Sequence, residues 1–354
     1  MATIDFGSTV TLEEAATLIA TIPDVVFLLE GEPGIGKSSI LDLIKKKLPH
    51  YSMVYRDVPN LDLGDVTMPM PNRELRVTEY FPSAGFQLHL GKPVCIMLDE
   101  FSKAMAPVQN MLHPMLESKN PRLGDQFLPK GSIVFLTGNL ATDGVGDVLK
   151  AHTLNRVSRV RVSKPDADQW LGWAVPAGIE PVVCAWVRQY PHCLGTYTDP
   201  AQRDNPYIYN PKKQQRAVVT PRSLERASRI VREREQNSQN AIIAALTGAI
   251  GEAGARDMSA YVDYQDQLPS WASIIENPKN ARLPDSPGAC AVLVYGAVNK
   301  INKDTIEPVM QYLKRFEAEW QAVFAVSLAR SPNQQIAFHS KAFSEWLREN
   351  SDIL

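Results

Sequence analysis

At 354 residues the chain has room for two or three domains, and a single small module does not fit that length. Its hydrophobic content of 44% with 21% charged residues sits near the globular norm. No apolar run approaches the roughly 18 residues of a membrane helix, and Met1-Ala-Thr-Ile-Asp-Phe lacks the basic start and apolar core of an export signal, so a cytoplasmic protein with no membrane role is expected.

Thr11-Leu-Glu-Glu14 is a capping box ahead of the apolar stretch from Ala15 to Ile19, which predicts a short amphipathic helix. Val25 to Leu29 then predicts a buried strand ended by Gly31, and Ile40, Leu41, Leu43, Ile44 and Leu48 recur at helical spacing beyond a glycine-rich turn. Lys45 to Lys47 read as a solvated helix end. Further strands are predicted over Tyr51 to Val58, Val94 to Leu98, Ile133 to Thr137 and Val157 to Val162. A helix started by Pro107 and kinked at Pro114 stands between the third and fourth of these five strands. Continuous apolar runs of this kind suit parallel strands covered on both faces, so residues 10–163 predict a doubly wound sheet.

Beyond Lys164-Pro-Asp helices dominate: Pro181 to Tyr190, Pro221 to Glu235, Ala241 to Ile250 and Thr305 to Leu328. Two irregular stretches rich in Pro, Asn and Asp, Pro191 to Val219 and Leu268 to Pro287, interrupt them. Cys95, Cys184, Cys193 and Cys290 form no C-x-x-C pair and read as reduced structural thiols; beside His192-Cys193 no second ligand pair stands at zinc spacing.

Gly31-Glu32-Pro33-Gly34-Ile35-Gly36-Lys37-Ser38 fits G-x-x-x-x-G-K-[ST] between a predicted strand and a predicted helix. The glycines let the backbone wrap an anion; N–H groups and the helix start hold phosphates. Lys37 reaches the β- and γ-oxygens of ATP, and Ser38, followed by Ser39, offers its hydroxyl to Mg²⁺. The third strand ends in Asp99-Glu100, at the carboxyl tip where ligands of open α/β sheets sit. Asp99 is the expected Mg²⁺ partner with Ser38, and Glu100 the group that polarises the attacking water. Acids closing a strand are common for solubility alone; the glycine loop upstream favours the functional reading. Asn139, at the tip of the fourth strand, is placed to touch the same water or the γ-phosphate, although Asn also opens loops as a turn former.

These residues resemble the AAA+ ATPases, and within them the MoxR-like branch. The resemblance covers about residues 10–235 and adds Leu154-Asn155-Arg156 as the arginine-finger stretch and Thr220-Pro221-Arg222 as the second sensor. Phe86 to Gly91, Asp99-Glu-Phe-Ser-Lys-Ala104 and Val108-Gln-Asn-Met-Leu look like the branch's own stretches, with Ser102 and Lys103 where the branch has Asn-Arg. The resemblance implies a P-loop NTPase αβα sandwich with a parallel five-stranded sheet over 1–163, an inserted element at about 60–92, an all-α lid over 164–254, and a helical extension over 255–354. It further implies a homo-oligomeric ring, usually a hexamer. In that ring Arg156, with Arg159 in reserve, enters the neighbour's site, and Arg222 reports closure of the lid. In the insertion, Tyr80, Phe81, Pro82 and Phe86 either grip a client or pack against the sheet.

The function so implied is an ATP-hydrolysing motor or chaperone that remodels or activates a partner protein, including one with a von Willebrand factor A domain. The alternative is an AAA+ ATPase acting on nucleic acid, such as a helicase, replication or mobile-element ATPase. Lys212, Lys213, Arg216, Arg222, Arg226 and Arg229 offer a basic cluster for it, while the near balance of 37 basic against 39 acidic residues speaks against it. A nucleotide-binding scaffold without turnover is a third reading, against which Glu100 argues.

Overall fold

A computed structural model describes residues 8–140, 149–210 and 215–350, which fall into two compact units, Met1–Lys164 and Pro165–Leu354. The first begins with β1 (Thr9–Val10), α1 (Leu12–Thr21), β2 (Phe27–Glu30), α2 (Ile40–Lys47) and β3 (Ser52–Asp57). An insertion follows, holding α3 (Leu63–Val66) and the hairpin β4 (Thr67–Asn72) and β5 (Val77–Pro82). The chain returns through β6 (Val94–Asp99), α4 (Ala106–Leu112), a small hairpin β7 (Arg122–Leu123) and β8 (Gln126–Phe127), β9 (Ile133–Gly138), α5 (Ala151–Leu154) and β10 (Ser158–Val162).

The main sheet runs β1-β10-β2-β9-β6-β3, parallel throughout. Five of its strands are the predicted ones. The sixth, β1, is a two-residue edge strand paired to β10, too short to carry a periodicity of its own. Because side chains alternate along a strand, each central strand feeds two cores. Phe27, Leu29, Cys95, Met97, Ile133 and Phe135 pack with Ala15, Ile19, Ile40 and Ile44 from α1 and α2. Leu28, Ile96, Leu98, Val134 and Leu136 pack with Phe101, Val108 and Leu112 on the other face. The Thr11–Glu14 capping box forms as predicted and fixes the start of α1. Pro114 does not kink a continuous helix: α4 ends at Leu112 and tightens into 3-10 geometry over His113–Leu116, where proline removes an amide donor.

The second unit is helical. It opens with α6 (Ala167–Ala174), α7 (Pro181–Gln189), α8 (Pro221–Arg232) and α9 (Gln239–Asp266), and six further helices among the described residues lie between Trp271 and Glu349. One hydrophobic cluster runs from Ala167 to Trp346 and includes every residue of α7 from Val182 to Val187. The expected boundary at 254/255 falls within this cluster and within α9. The helix predicted to end at Ile250 does break there: Gly251 takes φ 80°, and the chain then resumes helical geometry. The long helix expected over Thr305 to Leu328 is instead two, Ile306–Leu313 and Ala318–Arg330. At the break the Gln321 amide donates to Phe316 O at 2.8 Å, a local bond, and Arg315 Nη1 donates to the distant Ala281 O at 2.8 Å. A short helix, Trp271–Glu276, capped by Ser270, stands in the stretch expected to be irregular.

All four cysteines are free; Cys95 is buried in β6, and burial pushes its thiol up to about 12. No helix among the described residues is long and apolar enough to cross a membrane.

Candidate nucleotide site

Neighbouring parallel strands β2, β9 and β6 end on one edge of the sheet, so the residues that follow them share a rim. After β2 the chain curls through Gly31 to Gly36 into a 3-10 turn, Lys37–Ser39, that continues as α2. Gly34 (φ 77°) and Gly36 (φ 98°) occupy the left-handed region that side chains resist. Gly31 is needed for space: a Cβ there would stand 2.6 Å from Ile35 Cδ1 and 3.0 Å from Val162 O. Ile35 and Glu32 are buried and Pro33 is exposed. Ser39 Oγ donates to Gly36 O at 2.7 Å, so this hydroxyl braces the loop, whereas the exposed Ser38 hydroxyl has no partner among the described residues.

Lys37 is buried, and its Nζ donates to Gly31 O (2.8 Å), Glu32 O (3.1 Å) and Asn139 Oδ1 (3.2 Å). Asn139 Nδ2 in turn donates to Glu100 Oε1 at 3.4 Å, and Lys103 Nζ donates to Glu100 Oε2 at 2.7 Å. The chain Lys37, Asn139, Glu100, Lys103 therefore spans the tips of three adjacent strands.

Asp99 is oriented by two hydroxyls that sequence reasoning missed. Tyr55 Oη, from β3, donates to Asp99 Oδ2 at 2.8 Å, and Thr137 Oγ1, from β9, donates to Oδ1 while accepting from Glu100 N at 3.2 Å. Both residues are strand-interior positions in sequence, where Thr and Tyr read simply as β-formers. The Ser38 hydroxyl and the Asp99 carboxylate are hard oxygen donors, the class of ligand that Mg²⁺ takes alongside phosphate and water.

The arginines separate. Arg156 follows α5, with Nε 3.0 Å from Glu117 Oε1 and Nη1 donating to His152 O at 2.9 Å. Arg159 makes a two-pronged pair with Glu30, Nε to Oε2 at 3.0 Å and Nη2 to Oε1 at 3.1 Å, tying β10 to β2. This occupies the reserve candidate with a structural task. Arg222 is the second residue of α8, which Thr220 and Ser223 cap; it is exposed, as are Arg226 and Arg216, and none of the three has a partner among the described residues. Arg229 pairs with Glu225. Lys212 and Lys213 lie outside the described residues. In the insertion, Phe86 is 0% exposed, packed in the sheet's core beneath the Arg56 guanidinium at 4.8 Å, whereas Tyr80 (47%) and Phe81 (51%) stand in solvent.

A parallel sheet with this glycine loop after a central strand and paired acids on the rim defines a P-loop nucleotide-binding protein. Residues 26–131, which contain both the loop and Asp99-Glu100, match the family described as the AAA domain, dynein-related subfamily. Among solved structures it is similar to a candidate ATPase from Cytophaga hutchinsonii (14% identity, 68% of this chain and 80% of that one, TM-score 0.34). It is also similar to NtrX from Brucella abortus in complex with ATP (12% identity, 98% of this chain and 69% of that one, TM-score 0.37). No curated protein matches it in sequence.

Proposed function

We propose that the chain is a cytoplasmic, MoxR-like AAA+ motor that hydrolyses ATP within a homo-oligomeric ring, of six subunits by family resemblance, to remodel or activate a partner protein. The observation that carries this reading is the bonded series Lys37, Asn139, Glu100 on adjoining strand tips, beside an Asp99 held by two hydroxyls. In it Gly31 to Ser38 enclose the phosphates, and Lys37 leaves its carbonyl partners for the β- and γ-oxygens. Ser38 and Asp99 would hold Mg²⁺, which when bound would supply positive charge against the triphosphate. Glu100 takes a proton from water as the water oxygen bonds to the γ-phosphorus, and the bond to the β–γ bridging oxygen breaks to give ADP and phosphate. Asn139 orients water or γ-phosphate, Arg156 stabilises the transferring group in the neighbouring subunit, and Arg222 senses the γ-phosphate from the helical unit.

The client is a protein, with a von Willebrand factor A domain as the family's usual example. The hairpin β4–β5 supports contact through side chains: Met68, Met70, Val77, Tyr80 and Phe81 are exposed, while Pro69 and Pro71 lie on β4, where they cannot donate to an added strand. The test is ATP turnover by purified full chain against Glu100→Gln. The wild type consumes ATP and the variant binds but does not hydrolyse it; equal rates from the two would defeat the reading. A nucleic-acid motor is favoured by one observation, that Arg216, Arg222 and Arg226 are exposed and have no partner among the described residues. Steep, salt-dependent stimulation of turnover by DNA would select it.

A further inference from the structure

Glu100 is gripped on both carboxylate oxygens, and the two grips differ in what nucleotide would do to them. Asn139, on Oε1 at 3.4 Å, also accepts from Lys37, the side chain a triphosphate draws away. The Lys103 ammonium, on Oε2 at 2.7 Å, has no other hydrogen-bond or ion-pair partner among the described residues. Its position is set by packing. The 3-10 turn Phe101–Lys103 closes with Lys103 N donating to Glu100 O at 2.9 Å, and Phe101 is fully buried in the sheet's core. The Gln109 amide, from α4, donates to Ala104 O at 2.8 Å and Ser102 O at 3.3 Å, pinning the far side of the turn. Glu100 itself holds φ 52°, a left-handed conformation that a non-glycine residue keeps only when its surroundings impose it. The Lys103 and Glu100 side chains are 26% and 36% exposed, so the pair is partly shielded from solvent.

Resting on the ATPase reading above, we infer that Lys103 is a positioning residue for Glu100: its ammonium anchors Oε2 so that Oε1, once Asn139 turns to the nucleotide, faces the attacking water. A glutamate has three side-chain torsions, and one fixed oxygen together with a fixed backbone removes most of their freedom before water arrives. The requirement is for a cation of this reach.

The experiment is steady-state ATP turnover of the assembled full chain as wild type, Lys103→Met, Lys103→Arg, Glu100→Gln and Glu100→Gln/Lys103→Met, with thermal unfolding and nucleotide titration on each. Expected are a fall in kcat on the order of 10- to 100-fold for Lys103→Met with KM within about twofold, and recovery of most of that loss in Lys103→Arg. The second substitution should cost nothing further in the Glu100→Gln background. A folded Lys103→Met that turns over at or above the wild-type rate, or that changes KM alone, overturns the inference while Glu100→Gln remains inactive. Wild type and Glu100→Gln turning over equally overturns instead the ATPase reading on which it rests.

Discussion

Lys37 Nζ lies 3.2 Å from Asn139 Oδ1, joining the phosphate loop after β2 to the tip of β9. Lys37 Nζ also donates to the backbone carbonyls of Gly31 and Glu32, and a triphosphate offers charged oxygens in their place, a stronger class of partner. The two residues should therefore fail differently. Lys37→Ala is expected to weaken nucleotide binding at least tenfold, the scale of a lost charged hydrogen bond. Asn139→Ala should bind nearly as wild type but lose about 10²-fold in kcat, the scale of one lost transition-state donor. Titration with a fluorescent nucleotide alongside turnover separates the two.

Arg156 pairs with Glu117 of its own chain at 3.0 Å, a contact it must exchange for a neighbour's phosphoryl group if it acts in trans. Arg156→Ala should then lower turnover by about 10³-fold while leaving nucleotide affinity intact. The decisive measurement is mixing. Arg156→Ala subunits keep a complete Lys37, Asp99 and Glu100, and Glu100→Gln subunits keep the arginine, so combining the two inactive variants should restore turnover above either alone. A mixture no more active than its components would place the arginine outside catalysis.

The glycine loop, the Asp99-Glu100 rim and Asn139 were legible because motif and strand period coincide there: a run such as Val94 to Leu98 admits few structures other than a covered strand. The hairpin β4–β5 was not legible, since Met68-Pro-Met-Pro71 places two prolines in a strand and its partner sequence is exposed on both faces. Thr137 and Tyr55 were missed because a buried or edge β-former announces no chemistry until the strand order sets it beside Asp99. The break between Leu313 and Ala318 carries neither glycine nor proline. At it Arg315 donates to the carbonyl of Ala281, a long-range partner that no local pattern records.

His113 lies edge-on to His152, ring centroids 4.8 Å apart, and its Nε2 is buried with no hydrogen-bond partner among the described residues. Burial above all, then the charge of Arg156 and the ring of His152, holds its pKa below the ordinary value of 6.5. The unfolded chain therefore binds a proton at this site at a higher pH than the folded chain does. Stability should be full above 6.5 and fall as pH drops through 6.5 toward the lower folded value. Urea midpoints near neutral and mildly acidic pH should differ more for wild type than for His113→Leu. Equal differences would remove the histidine as a cause.

Phe86 and Phe81 test how the insertion is built. Phe86 is fully buried among Leu28, Ile96 and Leu98, so Phe86→Ala deletes a packed ring and should cost about 3 to 5 kcal/mol of stability. Phe81 pairs across the hairpin with Met68, and both are half exposed, so Phe81→Ala should change stability by no more than about 0.5 kcal/mol. Chemical denaturation reads both. If Phe81→Ala proves as costly as Phe86→Ala, then the hairpin's outward aromatic is covered in solution and is not available to a client. The expected pattern, a stable Phe81→Ala with intact basal turnover, leaves that ring free to be judged by client binding alone.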